Sequence, residues 1–290
     1  MNSSTRIFLG LLAGLLAITG GAVMAQENAM LAQQELEAFL EDWNRGDSDA
    51  MREHLSFPHI THGPNRFVIA ETREEFFQDF DLLRSQGWRR STFDRFEVLQ
   101  QSGDKINMLV DFRRYGIDGE VISDMQVFYV MSLQDGRWGM QYRSGGPKPG
   151  QFPASRREQA VAAAEAALHE FFDAFNAADN EALFAVNHVP QAILFEQNFI
   201  YGENRAMPPV QVNFDRLRDV EDWSRSEAEN ITPVQVTPDK VIFEFEFHRY
   251  DSNGERYRTV PAAWVITRKG EKWGVKFRSL MAPSFNLMNP

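Results

Sequence analysis

The sequence predicts an α+β protein with two tandem domains, each with N-terminal helices packed on a curved antiparallel sheet. The first observation is an internal repeat. Trp88 recurs as Trp223 and Arg143-Ser144 as Arg278-Ser279, at a shift of 135 residues and with no gap between residues 88 and 144. The second observation is the order of the patterns, because helical periodicity comes first in each copy and strand alternation follows.

A stretch rich in proline and glycine separates the two copies. Residues 145–153 contain three prolines and three glycines, a composition that is not expected to continue a helix or a central strand. The stretch begins directly after the last repeated pair. We therefore expect a first domain over residues 28–145, a linker over 146–155 and a second domain over 156–285.

The first 25 residues have the features of a secretory signal. Arg6 is the only charge before Glu27, an apolar run extends from Ile7 to Val23, and small residues precede a cleavage site at Gln26. The run is long enough to act as a membrane anchor instead, but its glycines and the cleavage site favour removal. We expect an exported protein, periplasmic or extracellular, with no membrane attachment after cleavage.

Composition excludes several classes of function. The chain has no cysteine, which excludes disulfides, thiolate catalysis and cysteine-ligated metals. Its formal net charge of −11 argues against a nucleic-acid partner. It has no glycine-rich phosphate loop and no His-Glu-x-x-His motif, and we expect neither a cofactor nor a metal.

Each copy begins with an amphipathic helix followed by a short second one. Apolar residues at helical spacing mark the first helix, which leads to Trp43 in the first copy and Phe175 in the second. Asp47 and Asp179 suit the start of the second helix. In the first copy a capping box at Thr72 predicts a third helix through Phe76, Phe77, Phe80 and Leu83. Pro208-Pro209 predicts that this helix is shortened or lost in the second copy.

Strands follow in both copies. Alternate apolar residues line one strand face over Ile106–Phe112, and again over Val241–Phe247. Asp118-Gly119 and Asn253-Gly254 predict two-residue hairpin turns, and Asp135-Gly136 marks the next turn.

This order of helices and hairpins, with Trp138-Gly139 or Trp273-Gly274 in the final strand, resembles the nuclear transport factor 2-like superfamily. That superfamily includes ketosteroid isomerase, scytalone dehydratase and SnoaL-like cyclases. Phe57-Pro58-His59 and the Phe-x-Arg-Tyr strands resemble those of uncharacterised bacterial members. The resemblance covers nearly all of both halves. It implies cone-like domains that enclose a pocket and associate through sheet faces, either within one chain or as a homodimer.

The candidate catalytic residues are His59, His62 and Asp124, because the second copy does not repeat them. Strand alternation places His59 and His62 on opposite faces, so they are not expected to share a metal. The resemblance places His62 near the general base of ketosteroid isomerase, although no aspartate stands there. A histidine with a pKa near neutral would act as a base, with Tyr129 or a protonated Asp124 as hydrogen-bond donor. The alternative is a solvent-facing histidine and an ion pair between Asp124 and Arg113.

Trp43, Trp88, Tyr129 and Arg114 complete the expected lining of the first pocket. Arg114 and Arg143 are shared between the copies, which leaves two hypotheses open. They serve the fold by pairing with carboxylates and stacking on tryptophan, or they form an anion clamp in each pocket. Their repetition favours the structural role.

Three functions are compatible with these observations. The favoured one is an exported protein that binds a small, partly apolar molecule in the first domain, with the second domain mainly a structural partner. The alternative is a cofactor-free isomerase, dehydratase or cyclase with a histidine base. The third is a structural or protein-interaction module. The sequence does not decide whether the protein is an enzyme.

Overall fold

The structure is a computed structural model. It describes the backbone of residues 7–64, 66–196 and 198–282, and the side chains within those ranges from residue 23 onward. The helices are α1 (Ile7–Arg45), α2 (Ser48–Met51), α3 (Phe80–Ser85), α4 (Ala154–Asn176), α5 (Asn180–Ala185) and α6 (Phe214–Glu221). The first six strands are β1 (Leu55–Gly63), β2 (Arg66–Ala70), β3 (Arg90–Gln101), β4 (Lys105–Tyr115), β5 (Val121–Gln134) and β6 (Arg137–Pro147). The other six are β7 (Asn187–Phe195), β8 (Asn198–Gly202), β9 (Trp223–Thr237), β10 (Lys240–Asp251), β11 (Arg256–Lys269) and β12 (Lys272–Leu280).

The strands form two six-stranded sheets with the same topology. Their orders are β2-β1-β6-β5-β4-β3 and β8-β7-β12-β11-β10-β9. The predicted antiparallel meander is confirmed for β3 to β6 and for β9 to β12. A purely antiparallel sheet is wrong, because β1 pairs parallel with β6 and β7 with β12. Turn signals report only strands joined by a hairpin, and these parallel partners are far apart in sequence.

Helix α1 unites the predicted signal segment and the first predicted helix in one element. Cleavage before Gln26 stays a prediction. Over the residues whose side chains are described, no helix is long and apolar enough to cross a membrane. The short second helices are confirmed, since Asp47 accepts hydrogen bonds from the backbone at the start of α2 and Asp179 does so at α5.

The third helix of the first copy is present but begins later than predicted, and the prediction that it is shortened or lost in the second copy is wrong. In the first copy the helix begins at Phe80 rather than at Thr72, because Asp79 caps it by accepting a hydrogen bond from the Leu82 backbone N–H. In the second copy the helix is present as α6, capped by Asn213 after the proline pair. The prolines precede the cap, so they do not interrupt the helix.

The connection between the copies is shorter than predicted. Strand β6 continues through Gly145 and Gly146 to Pro147 and pairs with β5 along this length. Gly146 is needed there, because a Cβ at this position would lie 2.7 Å from Thr237 Cγ2 of the second domain. The proline stands at the last position of the strand, where a missing N–H is tolerated.

The hairpin turns were predicted in part. Asp135 and Gly136 both have positive φ and form the expected two-residue turn. At Asp118-Gly119 only the glycine has positive φ, and residues 116–120 form a longer loop closed by a hydrogen bond from Gly116 N–H to Glu120 O. A two-residue type I′ turn needs positive φ at both central residues, so the Asp-Gly prediction fails there.

Each domain has a core between its helices and one face of its sheet. In the first domain this core includes Trp43 of α1, Phe80 of α3 and the alternate residues of β4 and β5. The predicted strand faces are confirmed by Ile106, Met108, Val110 and Phe112 in this core, and by Val241, Phe243, Phe245 and Phe247 in that of the second domain.

A third core lies between the two sheets and joins the domains. Tyr142 stacks on Phe277, with ring centroids 3.8 Å apart and an interplanar angle of 8°. Ile60, Phe128 and Val130 pack with residues of β7 and β11 in the same cluster. Tyr142 and Phe277 are equivalent at the shift of 135 residues, so the two copies meet through the same surface, related by an approximate two-fold axis.

Two equivalent lysines cross this interface. Lys105 Nζ donates to the Leu194 and Leu280 carbonyl oxygens, and Lys240 Nζ donates to the Gly145 carbonyl oxygen at 2.8 Å. Burial lowers the pKa of each lysine to about 7, although Glu196 partly offsets this for Lys105. Each domain thereby donates a lysine hydrogen bond to the final strand of the other.

The stacked rings provide a test of the domain pairing. We expect Tyr142→Ala to lower the free energy of unfolding by about 3–5 kcal/mol, as for other large buried side chains. Phe277→Ala should have a similar effect, and the double variant should lose less than the sum because the two rings contact each other. Ile117→Ala is the control, since Ile117 is 72% exposed and its replacement should change the free energy by less than about 0.5 kcal/mol. Additive effects in a urea-denaturation cycle would contradict the contact.

Candidate functional site

Each domain has a cavity between its helices and the inner face of its sheet. The cavity of the first domain has a volume of about 710 Å³. The cavity of the second domain has a volume of about 730 Å³. Both volumes are in the range of small-molecule sites. The resemblance implied a pocket in each domain, and a cavity is present in both.

Aromatic side chains form one wall of the first cavity. Phe39 and Trp43 project from α1, and Phe112 projects from β4. Trp43 packs edge-on against Phe112 with a centroid distance of 6.0 Å. The mouth is also apolar, because Val121 and Ile122 line the cavity and are exposed.

Two arginines line the same cavity, and both approach Trp43. The guanidinium carbon of Arg114 lies 5.4 Å from the Trp43 ring centroid, and that of Arg143 lies 5.7 Å from it. Within the described ranges, no carboxylate forms an ion pair with either guanidinium. Arg114 Nε is buried and has no hydrogen-bond partner there.

A bulge in β6 turns Arg143 toward the cavity. Met140 pairs with Met131 and Tyr142 pairs with Val130, so Gln141 is the extra residue. The bulge reverses the alternation, so Tyr142 faces the other domain and Arg143 faces the helices. The equivalent bulge in β12 lies between Val275 and Phe277.

Burial lowers the pKa of Arg143 to about 10, and the charges of Arg114 and Arg66 act in the same direction. Burial likewise lowers the pKa of Arg114. Burial raises the pKa of Tyr129 to about 12, against the opposing effect of the two cavity arginines. Near neutral pH this site therefore presents two cations and a neutral phenol.

His59 is buried beside the cavity and supports Arg143 indirectly. Its Nδ1 lies 2.9 Å from the Met140 carbonyl oxygen, which makes Nδ1–H the donor. Its Nε2 then accepts from the Thr61 hydroxyl at 3.2 Å, and Thr61 Oγ1 accepts from Arg143 Nε at 3.2 Å. Burial and the charge of Arg143 lower the pKa of His59 to about 3. His59 is therefore a neutral positioning residue rather than a base for neutral pH.

His62 lies on the opposite face of β1, as predicted. Its Nδ1 is 2.7 Å from the Tyr142 hydroxyl, and its ring packs edge-on against Phe67. Burial, Lys240 and Lys276 lower its pKa well below the ordinary value. His62 borders the cavity, but its imidazole belongs to the contact between the domains. The two histidines do not share a metal site, and no group of His, Asp and Glu in the described part of the chain is suited to hold one.

Asp124 forms ion pairs and does not act as a protonated donor. Its Oδ1 lies 2.8 Å from Lys148 Nζ and 3.4 Å from Arg113 Nε. Burial alone would raise the pKa of Asp124, but the hydrogen bonds and charges of Lys148 and Arg113 hold it below the ordinary value. The structure thus has the Asp124–Arg113 ion pair of the alternative, and the lowered pKa does not favour a protonated carboxyl.

Trp88 belongs to the core and does not line the cavity. Trp88 Nε1 and Trp43 Nε1 both donate to Ser91 Oγ, at 2.9 and 3.1 Å. Asn44 donates to the Ser91 carbonyl oxygen and accepts from its N–H. The second copy repeats this arrangement: Trp223 donates to Ser226, and Asn176 makes both backbone hydrogen bonds to Ser226. The repeated asparagine therefore fixes the end of the first helix of each copy to the sheet.

The second cavity differs mainly in its charge. Arg249 Nη1 lies 2.6 Å from Glu221 Oε2, and the Tyr257 hydroxyl donates to the same oxygen at 2.9 Å. Arg278 donates to the Pro209 carbonyl oxygen. Trp264 stands where the first copy has Tyr129. The equivalent of Arg114 is thus neutralised within the second domain.

Five of the seven predicted site residues line the first cavity: Trp43, His62, Arg114, Asp124 and Tyr129. The other two, His59 and Trp88, are buried but do not line it. Arg143 also lines the cavity, although its repetition in both copies favoured a structural role. The repeat singled out Arg143. The side of the sheet on which Arg143 lies could not be inferred, because the sequence does not show the bulge in β6.

No protein-family model matches this sequence, and no curated protein matches it. Solved structures match one half of the chain at a time. Each half has the fold of the nuclear transport factor 2-like proteins.

Two of these matches illustrate the coverage. One is a nuclear transport factor 2-like protein with a cystatin-like fold from Novosphingobium aromaticivorans, with 14% identity and a TM-score of 0.37, covering 53% of this chain and 96% of that chain. Another is a ketosteroid isomerase-like protein from Erwinia carotovora atroseptica, with 17% identity and a TM-score of 0.34, covering 41% of this chain and 95% of that chain.

The burial of His59 predicts a stability that depends on pH. Its folded-state pKa of about 3 lies below the ordinary 6.5, so the unfolded chain takes up a proton that the folded chain excludes. The free energy of unfolding should therefore fall as pH drops below 6.5, by up to about 1.4 kcal/mol per pH unit for this group. In His59→Asn the slope between pH 6 and 4 should be smaller by that amount, as measured by urea denaturation. His169→Asn, on the exposed side of α4, is the control, and an unchanged slope in His59→Asn would contradict the assignment.

Proposed function

We propose that the protein binds a small, partly apolar molecule in the cavity of the first domain. The observation that carries this proposal is an open cavity of about 710 Å³ with an aromatic wall, an apolar mouth and a few polar groups at its base. Such a combination is typical of small-molecule sites. Pocket-lining Phe39, Trp43 and Phe112 would contact the apolar part of the ligand.

We further propose that binding takes place outside the cytoplasm. The support is the sequence of residues 1–25, with one early charge, an apolar run and a site for cleavage. In this proposal the second domain covers the outer sheet face of the first and keeps the first cavity in shape. The second domain also has an open cavity of its own.

The geometry does not favour an enzyme with a histidine base. Both ring nitrogens of His59 are hydrogen-bonded, and the His62 imidazole is committed to Tyr142. The pKa of each is lowered by burial, whereas a general base works best with a pKa near the operating pH. A filled pocket with solvent-facing histidines would favour a structural or interaction module, and the first domain has neither.

A neutral apolar dye tests the binding proposal without reference to charge. We expect N-phenyl-1-naphthylamine to bind the wild-type protein with increased fluorescence. Met125→Trp should abolish this, because Met125 lines the first cavity and is only partly buried, so the larger indole occupies the space. Val212→Trp fills the second cavity from an equally half-buried position and should leave the signal in place.

The two tryptophan substitutions distinguish the first cavity from the second as the binding site. Loss of dye binding in Val212→Trp but not in Met125→Trp would assign the site to the second domain and contradict the proposal. Unchanged binding in both variants would place the dye outside the cavities and contradict it as well. Circular dichroism and thermal denaturation of both variants verify that each remains folded.

A further inference from the structure

We propose that the ligand of the first cavity carries a carboxylate, and that Arg114 and Arg143 bind it beside the Tyr129 hydroxyl. This inference rests on the proposed function and names the chemical class of the molecule bound. It assigns the ligand an anionic end at the base of the cavity and an apolar body toward the mouth.

The first argument is charge balance. Two guanidinium groups line one cavity, and in the described part of the chain no carboxylate pairs with either. The hydrogen bonds of Arg143 go to the neutral Thr61 and Gln78. Exposed Arg66 lies close enough to add positive charge rather than remove it. A partly buried cation without a counter-ion is unfavourable, and a bound anion would relieve that cost.

The second argument is hydrogen bonding. Arg114 Nε is a buried donor without an acceptor among the described residues. A guanidinium group presents paired N–H donors that match the two oxygens of a carboxylate. The pKa of Tyr129 is raised by burial, so its hydroxyl stays protonated and adds a third donor. The Arg114 guanidinium and the Tyr129 hydroxyl therefore offer donors to a bound carboxylate at the base of the cavity.

The third argument is the position of the donors relative to the aromatic wall. Both guanidinium carbons lie within 6 Å of the Trp43 ring, and Arg143 also lies 5.9 Å from the Phe39 ring. The rings hold the cations by cation–π contacts while leaving the N–H edges available. A flat apolar group attached to the carboxylate would then lie along Phe39 and Phe112.

The second domain shows what the same fold looks like when one of the two cavity arginines has a carboxylate partner within the chain. Glu221 pairs with Arg249 at the end of α6. The first copy has Gln86 or Gly87 at the corresponding place, at shifts of 135 or 134 residues. Tyr257, which donates to Glu221, corresponds to Ile122. The first domain thus lacks both the carboxylate that pairs with Arg249 and the hydroxyl that donates to this carboxylate.

Paired probes test the charge of the ligand. We expect isothermal titration calorimetry at neutral pH to show 2-naphthoate binding at least about tenfold more tightly than 2-naphthamide, which has the same rings without the charge. Arg114→Gln and Arg143→Gln should each weaken naphthoate binding by about tenfold or more and leave naphthamide binding unchanged. Arg278→Gln, the equivalent of Arg143 in the second domain, is the matched control and should leave naphthoate binding unchanged.

Arg114→Gln carries the test if Arg143→Gln fails to fold, because the only contacts of Arg114 with described residues that would be lost are those with aromatic rings. Equal affinity for naphthoate and naphthamide overturns this inference but leaves the proposed function in place, as does a preference for naphthoate that survives both arginine variants. Sensitivity to Arg278→Gln alone overturns the choice of domain. Absence of binding by both naphthalene probes and by N-phenyl-1-naphthylamine overturns the inference and the proposed function together.

Discussion

Each sheet of this protein is apolar on both faces, and that constraint determines the architecture. The helices of a domain cover only the inner face, so the outer face must be covered by something else. The other copy supplies the cover, with Tyr142 stacked on Phe277 at the centre. Lys105 and Lys240 then hydrogen-bond to backbone carbonyls across the boundary, which satisfies polar groups that pairing would otherwise bury without partners. A tandem chain keeps the two complementary faces together at all concentrations.

Because the outer sheet faces pair with each other, only the inner faces are left to line a cavity. Residues that alternate outward, such as His62, become part of the domain contact or of the polar network at its margin. Arg114 and Tyr129 alternate inward, and the bulge at Gln141 brings Arg143 to the same side. The same bulge directs Tyr142 outward into the stack. One local irregularity of β6 therefore serves both the interface and the cavity, and its repetition in β12 indicates that the fold of each copy depends on it.

The parts of the structure that depend on local chemistry could be predicted from the sequence. The caps at Asp47 and Asp179, the inward faces of β4 and β10 and the separation of His59 from His62 all follow from nearest neighbours along the chain. The start of α3 at Phe80 was missed because Asp79 is a better cap than the Thr72 box in this context. The parallel pairing of β1 with β6 and the bulge at Gln141 were missed because each arises from partners far apart in sequence. The candidate site inherited that error, since Arg143 could not be assigned a face.

Comparison of the two copies changes the meaning of the shared arginines. A residue repeated in both copies is most simply assigned to the fold, and Arg249 fits that role because Glu221 neutralises it. Arg114 occupies the same place without such a partner, so the same side chain has a different electrostatic state in each domain. Both copies keep the arginine. They differ in whether the chain supplies a carboxylate to pair with it. In the second domain the chain itself supplies the carboxylate that pairs with Arg249, and in the first we propose that a ligand supplies the anion for Arg114.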